Sequence, residues 1–223
     1  EPMPVVLWGN GGCRDNGLSA SHALRDFASH GFLVIANGTP RRELDILPEV
    51  PAMPAGMGGP RTLPPPSERQ PDETSTEQML AALDWAARMN ADPADPLHGR
   101  IDTGRVAATG HSCGGLQALL AGTDPRIDTV IAFGSGVYNR GGNGLSGVQI
   151  DKDALRDLHT PVAYILGGPT DIAFPHGSDD FARIDHVPVM FANLPVGHGG
   201  TLMLEDGGEW ARAGSAWLRW QLR

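Results

Sequence analysis

The sequence predicts an α/β fold, with a mostly parallel central sheet covered by helices on both faces. Three observations carry that prediction. Short apolar runs alternate with stretches of helical period along most of the chain, the pattern of successive βαβ units. Those runs are apolar throughout, as strands buried on both faces are. A length of 223 residues also suits one domain, long enough to bury a sizeable core. No internal repeat is evident, and residues 1–223 read as a single unit.

Taken in order, Glu1-Pro2-Met3-Pro4 leads directly into the first strand, Val5-Val6-Leu7-Trp8, with no signal-peptide pattern before it. That strand runs into Gly9-Asn10-Gly11-Gly12. Ala20, Ala23, Leu24, Phe27 and Ala28 then recur at helical spacing. Phe32 to Ala36 is a second strand, stopped by Asn37-Gly38. Residues 40–73 break the rhythm: nine of the 19 prolines fall here, and no period is visible. A loop of this length in a compact domain is a lid, a binding loop or a passive surface excursion. Thr74-Ser75-Thr76-Glu77 matches a capping box opening a helix, with Leu80, Leu83 and Ala87 on one face. Val106 to Thr109 is a strand, and Gly115 to Ala121 a short helix. Val130 to Phe133 and Val162 to Leu166 are strands, separated by a glycine-rich loop at 134–147 and a helix near 151–159. Val187 to Leu194 is the last strand. Trp210, Ala213, Trp217 and Trp220 mark one side of a closing helix.

Composition narrows the function. A formal charge of −9 with no basic stripe argues against a nucleic-acid partner, because phosphate binding rests on clustered Lys and Arg. No apolar run reaches the roughly 18–20 residues that span a bilayer. The two cysteines, Cys13 and Cys113, form no C-x-x-C pair, so neither a zinc site nor a dithiol motif is expected. The glycine cluster at Gly9-Asn10-Gly11-Gly12 forms neither a G-x-G-x-x-G pattern nor a P-loop, which weakens a phosphate-binding reading of it. No cofactor and no metal are expected.

The chemistry concentrates in Gly110-His111-Ser112-Cys113-Gly114. In a chain with 30 glycines, G-x-S-x-G alone is a weak signal, and its context decides. Here an apolar strand precedes it and a helix follows, so the glycines allow a sharp turn that lifts the Ser112 hydroxyl into a cleft. The helix N-terminus behind it favours developing negative charge. The alternative is a strand-to-helix turn with an incidental serine.

A hydroxyl needs a base to take its proton. His198, in Pro195-Val196-Gly197-His198-Gly199-Gly200, follows the last strand on a glycine-rich loop able to return it to the cleft. His176 is the nearest competitor, His22, His30 and His159 decorate helices, and His111 should point away from the serine. The base in turn needs a carboxylate to hold its tautomer. Asp171 follows a strand's C-terminal end, where sites of open α/β sheets gather. Asp179, Asp180, Glu205 and Asp206 are the alternatives. Donors for a tetrahedral oxyanion are expected from the backbone of Cys113 and from the loop after the first strand, with Asn10 first and Gly11 second. Trp8, beside that loop, is a candidate to stack on an aromatic acyl group or to sit in the core.

The order Ser112, Asp171, His198, set on these strands and loops, resembles the α/β-hydrolase fold over nearly the whole chain. Within that fold it resembles small cap-poor serine esterases: dienelactone-hydrolase-like, cutinase-like and polyester-hydrolase-like. Two departures stand out. The family's first two strands are not seen, which shortens one sheet edge. Cys113 follows the serine where many relatives carry Met or another apolar residue. Dienelactone hydrolases use a cysteine nucleophile where this chain has Ser112, which argues against their reaction. In the family's sheet the strands before Gly9 and Gly110 are neighbours, so the resemblance implies that Cys13 and Cys113 meet in a disulfide. It would close a loop of about 100 residues, worth up to ~4.7 kcal/mol in the chain-entropy model, and would imply a secreted or periplasmic setting. Two reduced thiols in a cytoplasmic protein are the alternative.

The expected activity is hydrolysis of a carboxylic ester, small or polymer-attached, through an acyl-enzyme. A thioesterase, amidase or acyltransferase would use the same triad. A non-catalytic hydrolase-like binding protein is the reading from another class.

Overall fold

The computed structural model describes residues 1–40, 73–139 and 148–223. The Pro-rich segment at 41–72 and residues 140–147 of the glycine-rich loop lie outside them, and with them the reading of the former as a lid.

The elements run β1 (Met3–Gly9), α1 (Ser21–Ser29), β2 (Leu33–Ala36), α2 (Thr76–Ala91), β3 (Ile101–His111) and α3 (Cys113–Ala121). They continue with β4 (Thr129–Phe133), β5 (Val162–Leu166), α4 (Phe174–Arg183), β6 (Val189–Asn193) and α5 (Gly208–Leu222). Short 3₁₀ turns lie at Gly11–Cys13, Lys152–Asp157 and Glu205–Gly207. The six strands form one sheet in the order β2-β1-β3-β4-β5-β6, and every neighbouring pair is parallel.

Side-chain alternation explains why the strands are apolar without interruption. Val5 and Leu7 join Val106 and Ala108 in a core beneath α2 and α3, with Met79, Leu83, Leu116 and Leu119. Val6 and Trp8 join Ala107, Ile131 and Phe133 in a second core beneath α1 and α5, with Phe27, Trp210 and Leu218. Both faces are therefore dry. Each buried Leu, Val or Phe adds roughly 1.5–3 kcal/mol to the drive for burial.

The order places the site. From β1 the chain steps outward to β2, then returns past β1 to β3 and continues to β6. The helix after β1 covers one face and the helix after β3 the other. The carboxyl ends of β1 and β3 are therefore the switch point of the sheet, the place where ligands of open α/β sheets bind. Gly9 and Gly110 stand level there in the strand register.

Several details differ from the sequence reading. The capping box sits one residue later: the Ser75 hydroxyl accepts from the Gln78 amide at 3.3 Å, and the Gln78 side chain accepts from the Ser75 amide at 2.9 Å. Thr74 instead donates its amide to the Cys13 carbonyl at 2.8 Å. The buried face of α2 is Met79, Leu83 and Ala86, while Ala87 is exposed. On α5, Trp210 and Trp217 are buried but Trp220 is 73% exposed. The helix expected near 151–159 is the 3₁₀ turn. Helix α4 was not anticipated. Among the described residues, no helix is long and apolar enough to cross a membrane.

Candidate active site

Ser112 stands between β3 and α3 with φ 53° and ψ −118°. For a residue with a Cβ this backbone costs on the order of 1–3 kcal/mol and persists only where the surroundings impose it. They do so here. The Ser112 amide donates to the Phe133 carbonyl at 2.9 Å, and its own carbonyl accepts from the Ser135 hydroxyl at 2.7 Å. The Gly115 amide donates to that same carbonyl at 2.9 Å. Gly114 lets α3 start against β1: a Cβ there would lie 2.0 Å from the Gly9 carbonyl group. The motif's glycines are thus required by close packing as well as by the turn.

The candidate base, His198, lies on the loop after β6. Its two preceding amides, of Val196 and Gly197, both donate to the Gly167 carbonyl, at 3.0 and 2.8 Å. This ties the histidine loop to the loop after β5, which carries Asp171. The Asp171 carboxylate is 1% exposed and accepts from the amides of Gly167 and Ala173, each at 2.9 Å. Burial alone would raise its pKa. The His198 bond and the two amides outweigh burial, and the net shift is downward.

His198 joins the two. Its Nδ1 lies 2.6 Å from Asp171 Oδ1, and its Nε2 lies 2.9 Å from Ser112 Oγ. An ionised carboxylate only accepts, so the proton sits on Nδ1 and Nε2 is left bare toward the serine hydroxyl. Three side chains far apart in sequence thus converge at the carboxyl edge of the sheet.

The competing residues are engaged elsewhere. Asp180 is fully buried and bonds to Lys152, the Tyr164 hydroxyl and the Val137 amide. Asp179 pairs with Arg183 and Lys152. Glu205 and Asp206 are exposed on a 3₁₀ turn. His176 packs edge-on against Tyr138 and accepts from the Asn139 amide.

Trp8 is a correction. It is 0% exposed, 6.3 Å from Phe27 and 5.8 Å from Phe133 between ring centroids, so it belongs to the core and has no face for a ligand. A side chain at that end of β1 falls on the dry face shared with Val6. Asn10 is also fully buried, and its side-chain amide is used by the carbonyls of Arg14 and Asn37 at 2.9 and 2.7 Å. Any donation from Asn10 to a ligand must come from its backbone.

Cys13 and Cys113 form a disulfide, with Cα atoms 5.2 Å apart. It joins the Gly11–Cys13 turn to the first residue of α3. The Cys13 carbonyl also accepts from the Thr74 hydroxyl, and Gln117 of α3 donates to the Thr74 carbonyl at 2.6 Å. The start of α2 is therefore stitched to the same loop. Sequence reading missed this contact and that of Ser135. A serine right after a strand carries a weak signal by itself, but its place at the carboxyl end of β4 points toward the neighbouring Ser112 turn.

A family model described as PETase, PET hydrolase-like, matches residues 66–140, which contain β3, the Ser112 turn and α3. No curated protein matches the chain. Among solved structures, a dienelactone hydrolase from Anabaena variabilis ATCC 29413 superposes with a TM-score of 0.62 at 15% identity, over 100% of this chain and 88% of that one. The chain therefore has the α/β-hydrolase fold, and it resembles the dienelactone-hydrolase-like and PET-hydrolase-like esterases built on it.

Proposed function

We propose that the chain is a serine hydrolase that cleaves carboxylic esters through an acyl-enzyme on Ser112. One observation carries this reading: the unbroken relay from Asp171 through His198 to Ser112, with contacts of 2.6 and 2.9 Å. Ser112 Oγ attacks the ester carbonyl while His198 Nε2 takes its proton, and Asp171 stabilises the imidazolium. The negative charge on the carbonyl oxygen meets the amide of Cys113, the first residue of α3, which has no carbonyl one turn behind it to bond. A backbone amide of the loop after β1, Asn10 first and Gly11 second, supplies the other donor, and the disulfide ties that loop to α3. His198 then returns the proton to the departing alcohol. Water, deprotonated by the same nitrogen, releases the acid and restores Ser112.

The preferred substrates are bulky or polymer-attached esters. The similarity to a PET hydrolase-like family supports this, as does the sparse covering between β4 and β5, where the described residues form only the 3₁₀ turn. The disulfide beside the nucleophile supports work in an oxidising compartment, secreted or periplasmic.

Ser112→Ala tests the reading. The variant should fold with an unchanged melting temperature and lose turnover of a short p-nitrophenyl ester by roughly 10⁴-fold or more, in line with triad knockouts elsewhere. Near wild-type turnover in that variant would remove Ser112 from the chemistry.

A further inference from the structure

His111 precedes the nucleophile, yet its side chain serves the base. Its Nε2 lies 2.7 Å from the carbonyl oxygen of His198, and the two imidazole centroids are 5.2 Å apart. A carbonyl only accepts, so the His111 proton is on Nε2 and Nδ1 is left as an acceptor. That second nitrogen abuts the loop after β1: a Cβ on Gly11 would lie 2.7 Å from it. Behind the ring, Trp210 of α5 stands 6.2 Å away, and a Cβ on Gly134 would lie 3.3 Å from the ring and 3.1 Å from the His198 carbonyl. Burial, with His198 acting in the same direction, holds the His111 pKa below its ordinary 6.5 against the opposing pull of the carbonyl bond and Asp171. The ring therefore adds no charge beside the imidazolium that forms on His198.

The histidine loop needs such a clamp. Its glycines at 197 and 200 adopt positive φ, 75° and 58°, and the amides before His198 fix only its approach from Gly167. The carbonyl of His198 lies on the other side of the Cα that carries the imidazole. Fixing it fixes where that imidazole projects.

We propose that His111 is a positioning residue for the hydrolysis, clamping the backbone of His198 through Nε2–H and setting the base against the oxyanion loop through Gly11. This rests on the serine-hydrolase reading above and goes one step beyond it, since His111 touches neither Ser112 Oγ nor, in that scheme, the substrate.

The test compares His111→Phe and His111→Met, which fill the space without a donor, with His111→Gln, whose side-chain amide reaches the position of Nε2. Steady-state kinetics on a p-nitrophenyl ester are read with the rate of labelling by a fluorophosphonate and with melting temperatures. Loss of positioning should lower kcat and labelling rate by about 10-fold to 100-fold with KM held within roughly twofold, since small displacements of a catalytic group act on the chemical step. His111→Gln should recover most of the loss. Folded Phe and Met variants with wild-type kcat would overturn the assignment, as would a Gln variant as slow as both. If none of the three folds, the role of His111 is structural and the assignment falls. Failure of the underlying reading looks different: wild-type protein would then not be labelled at all.

Discussion

At Asp171, burial and hydrogen bonding oppose each other. Removing a carboxylate from water favours its protonated form, yet three N–H donors converge on this one and hold its pKa below the ordinary 3.8. A carboxylate depressed in the folded state adds stability above its unfolded pKa and loses it as pH falls through the folded value. The melting temperature of wild type should therefore fall toward that of Asp171→Asn as pH drops below about 4. At neutral pH the Asn variant should stay folded and lose kcat by on the order of 10³–10⁴-fold, because an amide stabilises the wrong imidazole tautomer. A gap in melting temperature that widened with acid would contradict the assigned sign. At this scale the candidates Ser112, His198 and Asp171 were legible because each follows the carboxyl end of a strand, and Ser112 and His198 are flanked by glycines that mark sharp turns. Trp8 was not. Alternation along β1 gives a side chain's face, but with both faces of the sheet dry it cannot say which residue borders a cleft.

Among the elements, the strands were read within a few residues because burial on two faces leaves no other composition available to them. Helix α4 was missed for a physical reason. Pro175 and Gly177 look like breakers, but proline in a first helical turn forfeits no intrahelical bond. The capping box shifted from Thr74 to Ser75 because the Thr74 amide and hydroxyl both serve the Cys13 carbonyl, a contact 61 residues away in sequence that no local pattern reveals. That carbonyl lies beside the bond joining the loop after β1 to α3. Cutting it, as Cys13→Ala with Cys113→Ala, should lower unfolding free energy by roughly 2–5 kcal/mol in urea titrations. It should also slow ester turnover, since one proposed oxyanion donor sits on each side of the bridge. An unchanged midpoint, or two alkylated thiols in unreduced protein, would show that the bridge does not hold the folded chain.

Over the whole molecule, strand order decides where chemistry can occur. The step from β1 out to β2 and back to β3 makes a switch point, and the loops after β1, β3, β5 and β6 all leave the sheet at that same carboxyl edge. A parallel sheet delivers its carboxyl ends to one rim, which brings residues 86 positions apart, Ser112 and His198, within a hydrogen bond. The alternation of apolar runs and helical stretches made the sheet legible; the contacts that brace its rim were not, because they join distant loops. The most direct measurement of the central claim is mass mapping of the intact protein after treatment with a fluorophosphonate. One adduct, on the peptide carrying Ser112, is predicted for wild type, with none on the same timescale for a folded His198→Ala variant. An adduct elsewhere, or equal labelling of both proteins, would contradict the relay from Asp171 through His198 to Ser112.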